Sequence, residues 1–218
     1  MRKITIVLFL LTMLPGYAQT LYKAKIMLAN GEIKDGYANL PSNSLLSGSV
    51  TFKPEKKGKG TKIKKDDIQN AVYYADNGNE FYFECTIVKQ LLGKHELRPT
   101  KKKSWIVATY SNPDITVYSF GESYYIDKEG AMVTKSGASG TWAEIFVCLR
   151  RPGEEVPTSI TAYNFGAAVI GHDAKFRNAS KKYFEGETKF IERIENKEWE
   201  HEQVREMAEA YAAYKKGE

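Results

Sequence analysis

Seven lysines crowd one stretch of the chain: Lys53, Lys56, Lys57, Lys59, Lys62, Lys64 and Lys65, against the single acid Glu55. Lys101-Lys102-Lys103 forms a second run. Ammonium groups at this density attract lipid phosphates or acidic polysaccharide by long-range Coulomb force. Lys56, Lys57, Lys59 and Lys62 are the candidate anion-binding set. The same residues could equally guard an exposed strand edge, where lysine discourages pairing with a second chain. Nucleic acid is not the expected partner, because no recognition motif accompanies the charge.

Other residue types capable of chemistry are scattered. Cys85 and Cys148 could form a disulfide across a separation of 63 residues; the chain-entropy model gives such a bridge about 4 kcal/mol. Each also lies in an apolar run, where a free thiol behaves as a small hydrophobe. His95, His172 and His201 are far apart, without the spacing of a metal site, and read as solvated surface groups. Gly137-Ala138-Ser139-Gly140 lacks the Gly-x-Ser-x-Gly spacing of a nucleophile turn. Asp66-Asp67 has the position of a helix cap, and Glu154-Glu155 falls in a Pro-flanked loop. No catalytic residue, metal ligand or cofactor motif is assigned.

The elements that hold these residues follow from hydrophobic period. The chain has 218 residues, and 42% hydrophobic content excludes a disordered polymer. Arg2 and Lys3 precede the apolar run Ile4–Leu14, and Gly16-Tyr17-Ala18 places small residues before a cut after Ala18. That order is a secretory signal peptide. Eleven apolar residues rise only about 17 Å as a helix, too short for about 30 Å of hydrocarbon. Cleavage removes two cations and no acid, lowering the formal charge from +5 to +3. The mature chain is then expected in the periplasm or outside the cell, with no transmembrane span.

Residues 19–165 read as short strands and turns. Asn30-Gly31 and Asn77-Gly78 each separate two strand-like runs, a strong hairpin signal because both residues accept positive φ. Lys128-Glu129-Gly130 is a further turn. Phe81, Phe83, Cys85 and Ile87 alternate with Tyr82, Glu84 and Thr86, so the two sets face opposite ways. From residue 172 to 216 the period becomes helical: Phe176, Ala179 and Tyr183, then Phe190, Ile191 and Ile194, then Val204, Met207, Ala208 and Tyr211. Gly186 is placed as the stop of the first helix. The fold class is therefore α+β: an antiparallel β-sheet, barrel- or sandwich-like, followed by a short C-terminal helical segment packed on it.

The segments Gly31–Tyr37 (GEIKDGY), Val50–Lys53 (VTFK), Thr61–Ile68 (TKIKKDDI) and Tyr124–Gly130 (YYIDKEG) carry a resemblance, together with the Phe176–Ile194 tail closing on Tyr211 and Tyr214. The chain resembles a group of uncharacterised exported proteins common in Bacteroidetes, whose precursors often mature before a Gln, as at Gln19. The resemblance implies an envelope location and supplies no catalytic residues. The expected function is a non-enzymatic binding or structural module of the bacterial envelope, its partner an envelope component or protein. The alternatives are a hydrolase using carboxylates on an envelope polymer, and a polyanion-binding protein using the Lys53–Lys65 loop.

Overall fold

The computed structural model describes residues 20–44, 47–92, 96–137, 144–163 and 171–217. The expected signal segment, His95 and Ser139 lie outside them.

Two hairpins turn where Asn-Gly predicts. β1 (Tyr22–Leu28) leads into β2 (Ile33–Ala38), and β5 (Ile68–Tyr74) into β6 (Glu80–Thr86). Gly31 and Gly78 sit at φ +86° and +90°, a region that side chains resist. Between these hairpins, β3 (Ser49–Lys53) and β4 (Thr61–Lys64) carry the lysine cluster. One 3-10 turn, Lys65–Asp67, joins β4 to β5. No side chain caps it, so Asp66 and Asp67 contribute charge near its start rather than the expected cap.

The remaining strands are β7 (Lys89–Leu92), β8 (Glu96–Pro99), β9 (Ser104–Ser111), β10 (Thr116–Phe120), β11 (Ser123–Ile126), β12 (Met132–Lys135), β13 (Ile145–Arg150) and β14 (Thr158–Tyr163). Three helices follow: α1 (His172–Tyr183), α2 (Thr188–Glu195) and α3 (Val204–Lys216). Gly186 has φ +99°, but α1 already ends at Tyr183 with Phe184 as its cap.

Twelve strands form one sheet in the order β4-β3-β2-β1-β5-β6-β9-β10-β13-β14-β7-β8, and β11 pairs with β12 apart from it. Neighbours are antiparallel except β14 and β7, which meet in parallel at Thr158 and Lys89. The sheet is thus mixed and open, and the expected barrel is not formed. Its free edges are β4, which presents Lys62 and Lys64, and β8, which presents Glu96 and Arg98 and ends at Pro99. Charge and proline at an edge oppose further pairing.

Open does not mean flat. β4 and β5 are four strand steps apart in the sheet, about 19 Å if flat, yet the chain from Lys64 to Ile68 reaches only about 14 Å. β6 and β7 are five steps apart, about 24 Å if flat, and the chain from Thr86 to Lys89 reaches about 11 Å. Both halves of the sheet must therefore coil back on themselves.

The N-terminal coil wraps Ala24, Ile26, Val50, Phe52, Ala71 and Tyr73 into one buried cluster. Tyr124 on β11 joins the same cluster and its hydroxyl donates to the Trp105 carbonyl at 2.5 Å. In the C-terminal half the three helices cover the sheet, setting Phe176, Phe190, Met207 and Tyr211 against Val117, Val147 and Leu149. Isolated helices of 8 to 13 residues are marginal in water, so this apolar contact is what keeps them folded.

Candidate functional site

Alternation decides where the lysines point. Val50 and Phe52 on β3 and Ile63 on β4 are buried, so the residues between them face out. Lys62 lies opposite Thr51, and Lys64 opposite Ser49, on this outer side. The Lys53 stem runs over Gly60, where an added Cβ would lie 3.5 Å from Lys53 Cγ and Cε. Lys56, Lys57 and Lys59 are exposed at the hairpin tip.

Strand register extends this surface across the sheet. Lys53 opposes Tyr37, Tyr37 opposes Lys23, Lys23 opposes Tyr74, and Tyr74 opposes Glu80. Directly opposed residues share a face, so a row of alternating lysine and tyrosine crosses β3, β2, β1 and β5. The next row runs Asp35, Lys25, Val72, Tyr82. Tyr82 is 38% exposed, and the Lys23 ammonium stands 5.8 Å from the Tyr74 ring centre. Two acids, Asp35 and Glu80, temper the charge. Lys23, Lys25, Lys53, Lys62 and Lys64 nevertheless take part in no ion pair among the described residues, and neither do Lys56, Lys57 and Lys59.

The cluster is not one patch, however. Lys65 turns inward, is half-buried, and donates to Asn43 Oδ1 at 3.2 Å. Burial lowers its pKa, and Lys102, brought near from the second lysine run, lowers it further. Asn43 is itself a buried junction, donating to the Trp105 and Gly121 carbonyls at 2.9 Å and accepting from the Trp105 amide at 2.7 Å. Lys65 is thus part of the framework, while its neighbours remain free to meet a partner.

Cys85 and Cys148 are both free and buried. β9 and β10 lie between their strands in the sheet, and no bridge joins the two residues. Burial pushes the Cys85 thiol up to about 11, with Lys65 and Lys103 opposing the rise. Burial raises the Cys148 thiol too, against a hydrogen bond from Ser159. Neither environment favours the thiolate that nucleophilic chemistry needs.

The histidines depart from expectation. His172 is only 8% exposed, and its ring centre lies 5.3 Å from that of His201. His201 Nδ1 and its backbone amide both approach Asp173 Oδ1, at 2.8 and 2.9 Å. Those bonds hold the Asp173 carboxyl below its ordinary range. Twenty-nine positions separate His172 from His201; only the docking of α1 beside the α2–α3 connection joins them, which no local pattern announces.

The acids drawn inward are engaged. Arg150 grips Glu84 with both terminal nitrogens, at 2.7 and 2.5 Å, and the Tyr118 hydroxyl donates to the same carboxylate at 3.1 Å. Arg150 also donates to the Tyr118 oxygen, and burial raises the Tyr118 hydroxyl's pKa. Glu154 binds Arg151 Nε at 2.8 Å and receives the Tyr183 hydroxyl at 2.7 Å, tying α1 to the β13–β14 loop. Glu187 accepts from Tyr211, Tyr214 and Lys215. No group of three His, Cys, Asp or Glu side chains among the described residues could hold a metal. No described helix is long and apolar enough to cross a membrane.

Comparison with known proteins returns no relative: no family model, no curated protein and no solved structure matches the chain.

Proposed function

We propose that this protein is an exported, non-enzymatic binding module of the bacterial envelope that holds an anionic polymer against the outer face of its N-terminal coil. The observation that carries the reading is the row Lys53, Tyr37, Lys23, Tyr74, with Lys62 and the tip lysines beside it, none engaged by a described carboxylate. Lysine contributes attraction and fast encounter. The flat tyrosine rings between them add apolar contact area and a polar tip. A purely protective edge would need charge only on β4, whereas here it continues onto β3 and β1. The signal-peptide pattern of residues 1–18 supports delivery to a compartment where anionic envelope polymers occur.

The test is retention on an alginate matrix across a salt series. The intact mature chain is expected to bind at low salt and release as sodium chloride shortens the screening length. Lys56→Ser, Lys57→Ser, Lys59→Ser and Lys62→Ser together are expected to remove most of that retention. Absence of binding, salt-insensitive binding, or a quadruple variant that binds like the parent overturns the proposal.

A further inference from the structure

The second lysine run, Lys101-Lys102-Lys103, lies outside the row of Lys53, Tyr37, Lys23 and Tyr74, and all three residues are exposed. None takes part in an ion pair among the described residues. Neighbouring ammonium groups repel one another, so such a run gains nothing by itself from being held in place.

This one is held. The Val88 amide donates to the Thr100 hydroxyl oxygen at 3.2 Å, and that hydroxyl donates to the Lys102 carbonyl at 3.0 Å. The Thr100 amide donates to the Val88 carbonyl at 2.8 Å. Beyond the run, Ser104 pairs with Thr86 at the start of β9. The lysines therefore sit on a pinned bend between β8 and β9.

The fold brings this bend to the end of β4. Lys65 follows β4 directly, and its ammonium donates to Asn43 Oδ1, the same oxygen that accepts the Trp105 amide. Trp105 stands two residues beyond Lys103. The Lys102 charge is near enough to depress the Lys65 pKa, and Lys65 and Lys103 act on the same Cys85 thiol.

A line of ammonium groups results. It starts at the hairpin tip with Lys56, Lys57 and Lys59 and follows the outer side of β4 with Lys62 and Lys64. It then passes the Lys65 corner to Lys102 and Lys103. Thr61 to Lys64 alone is about 10 Å of strand, so one anionic group cannot meet both ends. Asp66 and Asp67, on the 3-10 turn at the corner, temper the charge and are outnumbered by the lysines of the two runs.

Resting on the binding reading above, we infer that Lys101, Lys102 and Lys103 form a second contact for the anionic polymer, which enters at the hairpin tip, follows β4 and ends on the β8–β9 bend. A linear chain can follow a strand and turn a corner, whereas a planar lipid surface cannot wrap such a path. Two contacts on one chain reinforce each other, because the first holds the second at high effective concentration.

Calorimetric titration of the intact mature chain with alginate at low salt, beside three variants, provides the test. The run variant carries Lys101→Ser, Lys102→Ser and Lys103→Ser, and the tip variant is the quadruple one above. A control with Lys175→Ser, Lys189→Ser and Lys216→Ser removes as much charge as the run variant, but from the helical side. The run variant is expected to bind about tenfold more weakly than the parent, and the control to bind as the parent does. Unchanged circular dichroism confirms that each variant is folded. A run variant that binds like the parent while the tip variant fails overturns this inference alone. A parent that does not bind alginate overturns it together with the proposed function. A control weakened as much as the run variant reduces the effect to net charge and also overturns it. So does a run variant that keeps alginate but loses binding to phosphatidylglycerol vesicles.

Discussion

The two coils of the sheet share a construction and differ in what they do with their outer surfaces. In the N-terminal coil the residues facing away from the core are Lys23, Lys25, Lys53 and Lys62 with Tyr37, Tyr74 and Tyr82, all of them exposed or half-buried. In the C-terminal half Val117, Val147 and Leu149 recruit three helices. A strand that alternates apolar with charged residues needs one covered face; a strand apolar on both needs two. Both regions hold a buried cluster, but only the second also uses its other face to hold helices.

The largest effect is expected where the covered face is broken. Phe190 is fully buried against Phe184, Trp199 and Tyr211. Phe190→Ala should cost about 4 kcal/mol, read as a lowered urea midpoint with loss of helical circular dichroism. Glu84→Gln comes next, because it leaves Arg150 facing a neutral partner beside Tyr118. About 2–3 kcal/mol is expected, since removing one charge from an enclosed pair strands the other.

A pH series sharpens the role of the helical layer. The Asp173 carboxyl is held low by His201, so its contribution is present near neutrality and above the ordinary carboxylate range. It is lost as pH falls through the lowered folded value. Asp173 is 40% exposed, which keeps the effect small. Asp173→Asn should flatten the acid limb of the stability profile, whereas the lysine substitutions should leave it unchanged. The smallest expected effect is on stability when Lys56, Lys57, Lys59 and Lys62 become Ser: a shift within about 0.5 kcal/mol, as for surface changes remote from the core.

Local chemistry made much of this architecture legible. Asn30-Gly31 and Asn77-Gly78 marked their hairpins because only a few residue types accept that turn. Phe176, Ala179 and Tyr183 marked α1 by spacing, and the opposed faces of β6 were evident from Phe83 against Tyr82. What escaped notice depends on distant contacts. β7 and β8 are four residues each, charged and ending at Pro99, too short for a period to emerge. That the sheet coils without closing into a barrel depends on which distant strands pair. The lysine run read as one feature, although Lys65 is drawn inward by Asn43, 22 positions away. The tyrosines between the lysines became part of the site only when register placed Tyr37 and Tyr74 beside Lys23.

The most direct test of the division between the two regions is lysine footprinting by reductive methylation, with and without alginate, read residue by residue by mass spectrometry. The account predicts protection of Lys23, Lys53, Lys56, Lys57, Lys59 and Lys62, with Lys175, Lys189 and Lys216 on the helical side labelled equally in both conditions. Protection concentrated on the helical lysines, or none on the N-terminal face while alginate is bound, would contradict it.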